Sequence, residues 1–215
     1  MMSKFSGRFI TFEGPEGSGK TLQIKLLAGE FDRREIPYCI TREPGGTEFG
    51  KEVRDILLKN GGAAREPVSE LLLYLADRYQ HVNEIIRPAL ARGEIVISDR
   101  YHDATLAYQG YARGVDLEMI GELFRKLELL VPDTTLVFDI DVEIALTRAR
   151  SRNLTSDQSH MGRFEAEEID FHRRVRDGYL DLAAGDPSRY TVINGSGTPE
   201  EVHRRIMKAL EPLQP

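Results

Sequence analysis

Gly14-Pro15-Glu16-Gly17-Ser18-Gly19-Lys20-Thr21 satisfies every fixed position of the phosphate-cradling pattern G-x-x-x-x-G-K-[ST]. Its flanks supply the context that the pattern requires. Phe9-Ile10-Thr11-Phe12 reads as a short buried strand, and Leu22, Ile24, Leu26 and Leu27, with Gln23 and Lys25 between them, read as a helix start. Glycines let the backbone curl so that its N–H groups converge, and the helix that follows adds the positive end of its dipole. A polyphosphate is thereby held by geometry and field together. In this pattern Lys20 reaches the β- and γ-phosphates, and Thr21 offers its hydroxyl to Mg²⁺.

Composition narrows the class further. The 215 residues suffice for one sizeable α/β domain, so a single domain over 1–215 is expected. Hydrophobic residues at 40% and charged residues at 30% suit a globular protein with a full core. The formal net charge of -6 argues against a nucleic-acid partner, which calls for a basic footprint, but leaves room for a small anionic substrate held by local arginines. Cys39 is the only cysteine, which rules out an internal disulfide; in Tyr38-Cys39-Ile40 it reads as a core position. No uncharged run approaches about 18 residues, so no membrane span is expected, and a cytoplasmic location fits.

Along the chain, strands alternate with helices. Tyr38 to Thr41 reads as a second strand, and Arg42-Glu43-Pro44-Gly45-Gly46-Thr47 as a loop in which Thr47 caps the helix carrying Val53, Ile56 and Leu57. Loops after strands face the ligand side of open α/β sheets, so this one is a candidate contact loop. Asn60-Gly61-Gly62 closes that helix, and a long helical stretch follows from Pro67 to Arg92, with Pro88 expected to kink or restart it. Tyr74 and Arg78, four apart, share one face of it.

The third strand, Ile95 to Ser98, runs into Asp99-Arg100-Tyr101, which puts Asp99 where a carboxylate meets Mg²⁺ directly or through water. Asp139 and Asp141, ending the fourth strand Thr135 to Asp139, compete for that role. Tyr101 to Gly114, rich in Tyr, Gln and Gly, leads into an amphipathic helix over Leu117 to Leu130. Asp141 is placed to cap a helix that runs into Arg148, Arg150 and Arg152. Ser151 to Met161 lacks periodicity and reads as a loop leading to Arg163-Phe164-Glu165. Opposite a phosphate-binding loop, such flanking arginines read as a closing lid over about 151–164. A helix near Phe171 to Leu182, a fifth strand from Tyr190 to Ile193 and a last helix capped by Thr198 complete the series. The alternation calls for an α/β fold: a parallel five-stranded sheet with helices on both faces.

The Asn-Lys-x-Asp run by which switch GTPases read their base is absent, and arginines spread over several loops favour a second phosphorylated substrate over hydrolysis. A small phosphotransferase is the expectation. At this point the order of motifs resembles the bacterial thymidylate kinases. Glu13 to Thr21, Thr41-Arg42-Glu43-Pro44-Gly45-Gly46-Thr47, Leu75-Ala76-Asp77-Arg78, Ser98-Asp99-Arg100-Tyr101, Ala107-Tyr108-Gln109-Gly110 and the later Phe171 to Leu180 carry the resemblance, which runs from about residue 8 to 211.

That resemblance implies transfer of the γ-phosphoryl of ATP to dTMP, with Mg²⁺, in a family where dimers are common. It implies that Glu16 bonds the sugar 3′-hydroxyl and that Arg100 grips the dTMP phosphate, helped by Arg42 or Arg54. Tyr74 would stack on thymine, Arg78 would read a thymine carbonyl, Thr105 and Gln109 would complete the base edge, and Tyr108 would crowd the 2′ position, with Pro44 also at the substrate. The P-loop has Glu16 but no arginine, a pattern that in this family goes with lid arginines: Arg148 and Arg152 first, then Arg150 and Arg163. Two departures are Ala104, where a serine is frequent, and Gly162, where an aspartate is common. Rival readings are a kinase of another nucleoside monophosphate or a deoxynucleoside, and a nucleotide-dependent switch.

Overall fold

The computed structural model describes residues 7–59, 65–155, 164 and 167–211, with backbone only for 152–155. Strand β1 (Arg8–Glu13) lies at the centre of a five-stranded sheet, flanked in the order β2-β3-β1-β4-β5 by β2 (Tyr38–Arg42), β3 (Ile95–Asp99), β4 (Thr134–Asp139) and β5 (Tyr190–Asn194). All pairings are parallel, with Phe12 opposite Asp99 and Leu136, and Thr41 opposite Ser98. The carboxyl ends of all five strands therefore share one edge. Because the strand order changes direction at β1, that edge opens a crevice where ligands settle in such sheets.

Alternation along β1 divides the core. Ile10 and Phe12 face helices α1 (Lys20–Arg33) and α9 (Pro199–Leu210), packing with Leu27, Phe31, Phe138 and Ile206. Phe9 turns to the opposite side, where Val82, Ile86, Leu90 and Tyr101 close over it. On α1 the buried set is Lys20, Gln23, Ile24, Leu27 and Phe31, whereas Leu22 and Leu26 face outward at 47% and 36% exposure. Cys39 is only half-buried, because β2 is an edge strand, and so is not the core residue expected of it.

The caps read from sequence are made. Thr47 Oγ1 accepts from Gly50 N–H at 2.9 Å at the start of α2 (Glu48–Leu58), and Thr198 forms a reciprocal capping box with Glu201. Asp141 accepts from the N–H groups of Glu143 and Ile144 at the head of α7 (Val142–Thr155). The long helix from Pro67 restarts around Pro88, as expected. It passes from α3 (Pro67–His81) through a wider π turn, Val82–Ile86, into α4 (Arg87–Ala91). There the Arg87 N–H donates to Val82 O, so the ladder shifts by one residue just before the proline that lacks a donor.

Tyr101 to Gly114, whose composition announces no helix, is helical through α5 (His102–Thr105) and a second π stretch, Leu106–Ala112. Helix α6 (Leu117–Lys126) stops short of the expected Leu130, since Glu128 turns left-handed at φ 49°. Helix α8 (Ile169–Gly185) packs against the second π stretch at Gly178, where a Cβ would stand 2.6 Å from the Tyr111 ring. Among the described residues, no helix is long and apolar enough to cross a membrane.

Candidate active site

The phosphate-cradling loop joins β1 to α1 at the crevice. Gly14 (φ 130°) and Gly17 (φ 76°) adopt backbone that side chains rarely take; a Cβ on Gly14 would lie 2.6 Å from Phe138 O, and one on Gly17 would run into Ala145 O of α7. Lys20 Nζ donates to Gly14 O (3.0 Å), Pro15 O (2.9 Å) and Ser18 Oγ (3.2 Å). Burial, reinforced by Arg100, lowers its pKa to about 8. Thr21 Oγ1 donates to Asp99 Oδ2 at 3.0 Å. The competing acids are occupied differently: Asp139 holds Arg176 through two bonds (2.6 and 3.1 Å), and Asp141 caps its helix.

A hydroxyl and a carboxylate beside a phosphate loop form the oxygen-rich, incomplete donor set that Mg²⁺ takes together with substrate phosphates and water. Among the described residues there is no cluster of three or more His, Cys, Asp or Glu that would cage a metal by itself. The donor set thus suits an ion carried in with a nucleotide.

Two pockets open from this edge. The larger runs from the phosphate loop past Asp99 to Arg42 and Arg148. The smaller lies beside it, walled by both charged and aromatic side chains. All the residues nominated for the acceptor line it except Arg42: Glu16, Pro44, Arg54, Tyr74, Arg78, Arg100, Thr105, Tyr108 and Gln109. Exposed Arg42 borders the larger cleft instead, because β2 ends there. Glu16, Glu43, Arg54 and Arg100 line both pockets, so the two spaces meet at these side chains.

Arg78 is not a solvent-facing arginine. It is 1% exposed, and donates to Glu43 Oε2 (2.7 Å), Thr105 Oγ1 (2.8 Å) and Tyr101 O (3.0 Å). Glu43 Oε1 pairs with His81 Nδ1 at 2.8 Å, and His81 Nε2 meets Thr41 Oγ1 at 2.5 Å. Burial pushes Glu43 up, but Arg78 and His81 outweigh it and leave its pKa lowered. The Glu43–Pro44 peptide is cis, and Arg54 Nη1 donates to Pro44 O at 2.9 Å. Asp77 Oδ1 accepts from Gly45 N–H at 3.0 Å, while its Oδ2 has no hydrogen-bond partner among the described residues. Burial, then the charge of Glu43, pushes that carboxyl up to about 6.

On the far wall, Gln109 Nε2 donates to buried Glu70 at 2.9 Å, and the Tyr108 ring carries the Arg100 guanidinium 5.2 Å from its centroid. Arg100 Nη1 donates to Gly14 O (2.9 Å), and Nη2 to Glu16 Oε2 (3.1 Å). Ala104 and Phe164 also line the smaller pocket, with Phe164 edge-on to Tyr108 at 5.3 Å. Arg148 projects from α7 into the larger cleft, whereas exposed Arg150 lies near His172 rather than in either pocket lining. The Arg152 side chain, Gly162, Arg163 and the rest of 156–163 lie outside the described residues, whereas 151–155, expected to begin the loop, continue helix α7 instead.

Sequence reasoning overlooked Glu43, His81, Thr41 and Asp77 as a supporting network. Glu43 and Asp77 lay inside motifs already singled out, but no local pattern reveals that their side chains converge. Leu58 and Phe164 were also missed as pocket walls.

The chain matches the sequence profile of the family described as thymidylate kinase over residues 12–206. It is 50% identical over 202 residues to the thymidylate kinase of Syntrophotalea carbinolica, covering 92% of each chain. Against that of Solidesulfovibrio magneticus it is 48% identical over 200 residues, 92% of this chain and 96% of the other. The crystal structure of thymidylate kinase from Ehrlichia chaffeensis superposes with a TM-score of 0.74 at 35% identity, covering 95% of this chain and 99% of that one.

Proposed function

The chain belongs to the thymidylate kinase family, phosphotransferases that convert dTMP to dTDP with ATP as donor, and from that premise we propose how its two pockets divide the work. The larger holds ATP, its phosphates on the Gly14–Thr21 loop, and the smaller holds dTMP. The observation that carries this division is that the pockets meet at Arg100 and Glu16. There a donor on the loop and an acceptor in the smaller pocket bring their phosphates together.

In this reading an oxygen of the dTMP 5′-phosphate attacks the γ-phosphorus; that O–P bond forms as the bond from the γ-phosphorus to the β–γ bridging oxygen breaks, releasing ADP. The protein contributes position and charge rather than covalent chemistry. Arg100 orients the acceptor phosphate, with Arg54 beside it. Lys20 moves from the loop carbonyls to the β- and γ-phosphates, and Arg148, with Arg152 from the lid over 151–164, offsets charge on the transferred group. Thr21 and Asp99, the latter through water, would hold Mg²⁺, which supplies charge neutralisation across the donor phosphates. Tyr74 stacks on thymine, Arg78 keeps N–H groups beyond its three protein bonds for a base carbonyl, and Thr105 and Gln109 complete the edge. Glu16 takes the 3′-hydroxyl and Tyr108 closes the 2′ side. Base choice rests on the polar groups, because a wrong base leaves them unpaired.

The whole chain acts as one domain, in the cytoplasm. A homodimer is supported by apolar side chains repeating at seven-residue spacing on the outer faces of two packed helices: Phe49 and Ile56 on α2, Leu72 and Tyr79 on α3, at 45 to 52% exposure. The test of function is ADP formation from Mg-ATP with dTMP, dUMP, dCMP, GMP, AMP and thymidine offered separately. Turnover restricted to dTMP, with dUMP weaker, is expected. A faster rate with another acceptor assigns the smaller pocket to that nucleotide, and no acceptor-dependent rate removes the division altogether.

A further inference from the structure

Arg100 sits in a backbone conformation that its own chemistry does not favour. Its φ of 71° is left-handed, a region that residues with a Cβ occupy when the surroundings compel it. The compulsion is visible in three main-chain bonds. Arg100 N–H donates to Phe12 O at 3.0 Å, Ser98 Oγ donates to Arg100 O at 2.7 Å, and the next N–H, of Tyr101, donates to Glu13 Oε1 at 2.7 Å.

The second oxygen of Glu13 accepts from Tyr179 Oη at 2.8 Å, and Tyr179 Oη itself accepts from Arg100 Nη1 at 3.3 Å. Glu13 thus reaches the same residue twice: through the peptide that follows it, and through a tyrosine from α8 that touches its guanidinium. Glu13 is fully buried, Tyr179 is 1% exposed, and neither is among the residues lining the two pockets described above. Burial, with Asp103 nearby, pushes the Glu13 carboxyl up to about 8, a penalty that an apolar side chain at this core position would not incur. Its two bonds go to Tyr101 N–H and Tyr179 Oη, and both of these groups adjoin Arg100, the residue at the junction of the two pockets.

We propose that Glu13 and Tyr179 are positioning residues for phosphoryl transfer, which together hold Arg100 left-handed and aim its guanidinium at the boundary between donor and acceptor. The inference rests on the assignment of Arg100 to the acceptor phosphate. Neither residue touches substrate; each acts through Arg100.

The decisive variant is Tyr179→Phe, which keeps the ring that packs near Tyr108 and removes only the hydroxyl. The dTMP dissociation constant is measured by titration calorimetry for the full-length wild type, Tyr179→Phe, Arg100→Ala and the double variant, with steady-state rates and melting curves alongside. Tyr179→Phe is expected to weaken dTMP binding about tenfold, the equivalent of one oriented hydrogen bond. In the Arg100→Ala background the same change is expected to do nothing beyond about twofold, because the residue through which it acts is gone. The KM for ATP stays within about twofold in Tyr179→Phe. Glu13→Gln, which retains one acceptor oxygen, is expected to show a smaller loss with the same dependence on Arg100.

An equal Tyr179→Phe effect with and without Arg100, or a parallel loss of ATP affinity, marks a general structural role and overturns the proposal. So does an unchanged dTMP affinity in Tyr179→Phe. If Arg100→Ala itself leaves dTMP binding and turnover intact, the acceptor-phosphate assignment fails first and takes the positioning role with it.

Discussion

Replacing Arg78 by alanine is the substitution that a base-reading role invites, and the buried network makes it a folding experiment as well. The change removes a guanidinium that is 1% exposed and leaves Glu43, 3% exposed, with His81 as its remaining partner. Breaking a buried ion pair from one side costs about 3–5 kcal/mol, and retention of His81 places this case near the lower figure. In a domain of this size each kcal/mol moves the midpoint by about 2–4 °C, so the variant should melt about 6–12 °C below the wild type at pH 7.

The pH dependence carries a sign. In the wild type the pKa of Glu43 is held below its ordinary value of 4.5, so its contribution to stability is present above that pH and lost as the pH falls. Without Arg78, burial dominates and raises the pKa, so the variant loses stability as the pH rises through 4.5. The two stability curves should diverge above about pH 4.5 and converge below it. Urea and thermal unfolding followed by circular dichroism from pH 3.5 to 8 supply the comparison. A midpoint drop under about 3 °C at pH 7, or a gap that does not narrow in acid, would refute the claim that Arg78 balances a buried Glu43 charge. Discrimination among acceptors has to be read below the variant's own midpoint.

Asp77→Asn keeps the acceptor for Gly45 N–H and removes a carboxyl whose pKa is raised to about 6, a group whose stabilising effect is lost as the pH rises through that value. The variant should therefore equal or exceed wild-type stability at pH 7, by up to about 3 kcal/mol in urea melts; a loss beyond about 1 kcal/mol would contradict this. Asp99→Asn preserves the 3.0 Å acceptor for Thr21 but not the charge, so Mg²⁺ titration of activity should show a half-saturation raised at least about tenfold. An unshifted titration would remove Asp99 from the metal site. Arg148→Ala should lower kcat by about 10²–10³ while the KM for ATP changes far less, and equal losses in both would assign Arg148 to binding alone. Paired Ile56→Glu and Leu72→Glu should convert a dimer to a monomer in light-scattering chromatography, and persistence of the dimer would place its interface elsewhere.

What was legible in the chain were interactions that close within a few residues. The Gly14–Thr21 loop, the period-two apolar strands, and the Thr47, Asp141 and Thr198 caps each depend on spacing that a linear reading sees. The family pattern added the pocket residues, nearly all of which the fold brings to one cavity. Local reading failed where a neighbour arrives from afar. That Leu22 and Leu26 turn outward follows from how α1 rotates against α9 and the sheet, and that the restart at Pro88 is made through a π turn is set by the ladder around Val82–Ile86, neither of which the linear pattern shows.

The amino-acid sequence by itself therefore determined the class of fold, the phosphate loop and the family, because glycine spacing, hydrophobic period and motif order are properties of the chain. Only the tertiary structure decided which charges are buried and what they support. Tyr74 and Arg78 share a face by helical geometry, but that this face is an interior wall depends on Glu43, brought 35 residues along the chain to meet Arg78 at 2.7 Å. Glu13 and Tyr179 lie 166 residues apart and meet at 2.8 Å around Arg100. Charge partners in a water-poor interior are chosen by packing, which sets both distance and desolvation, and neither is written in sequence separation.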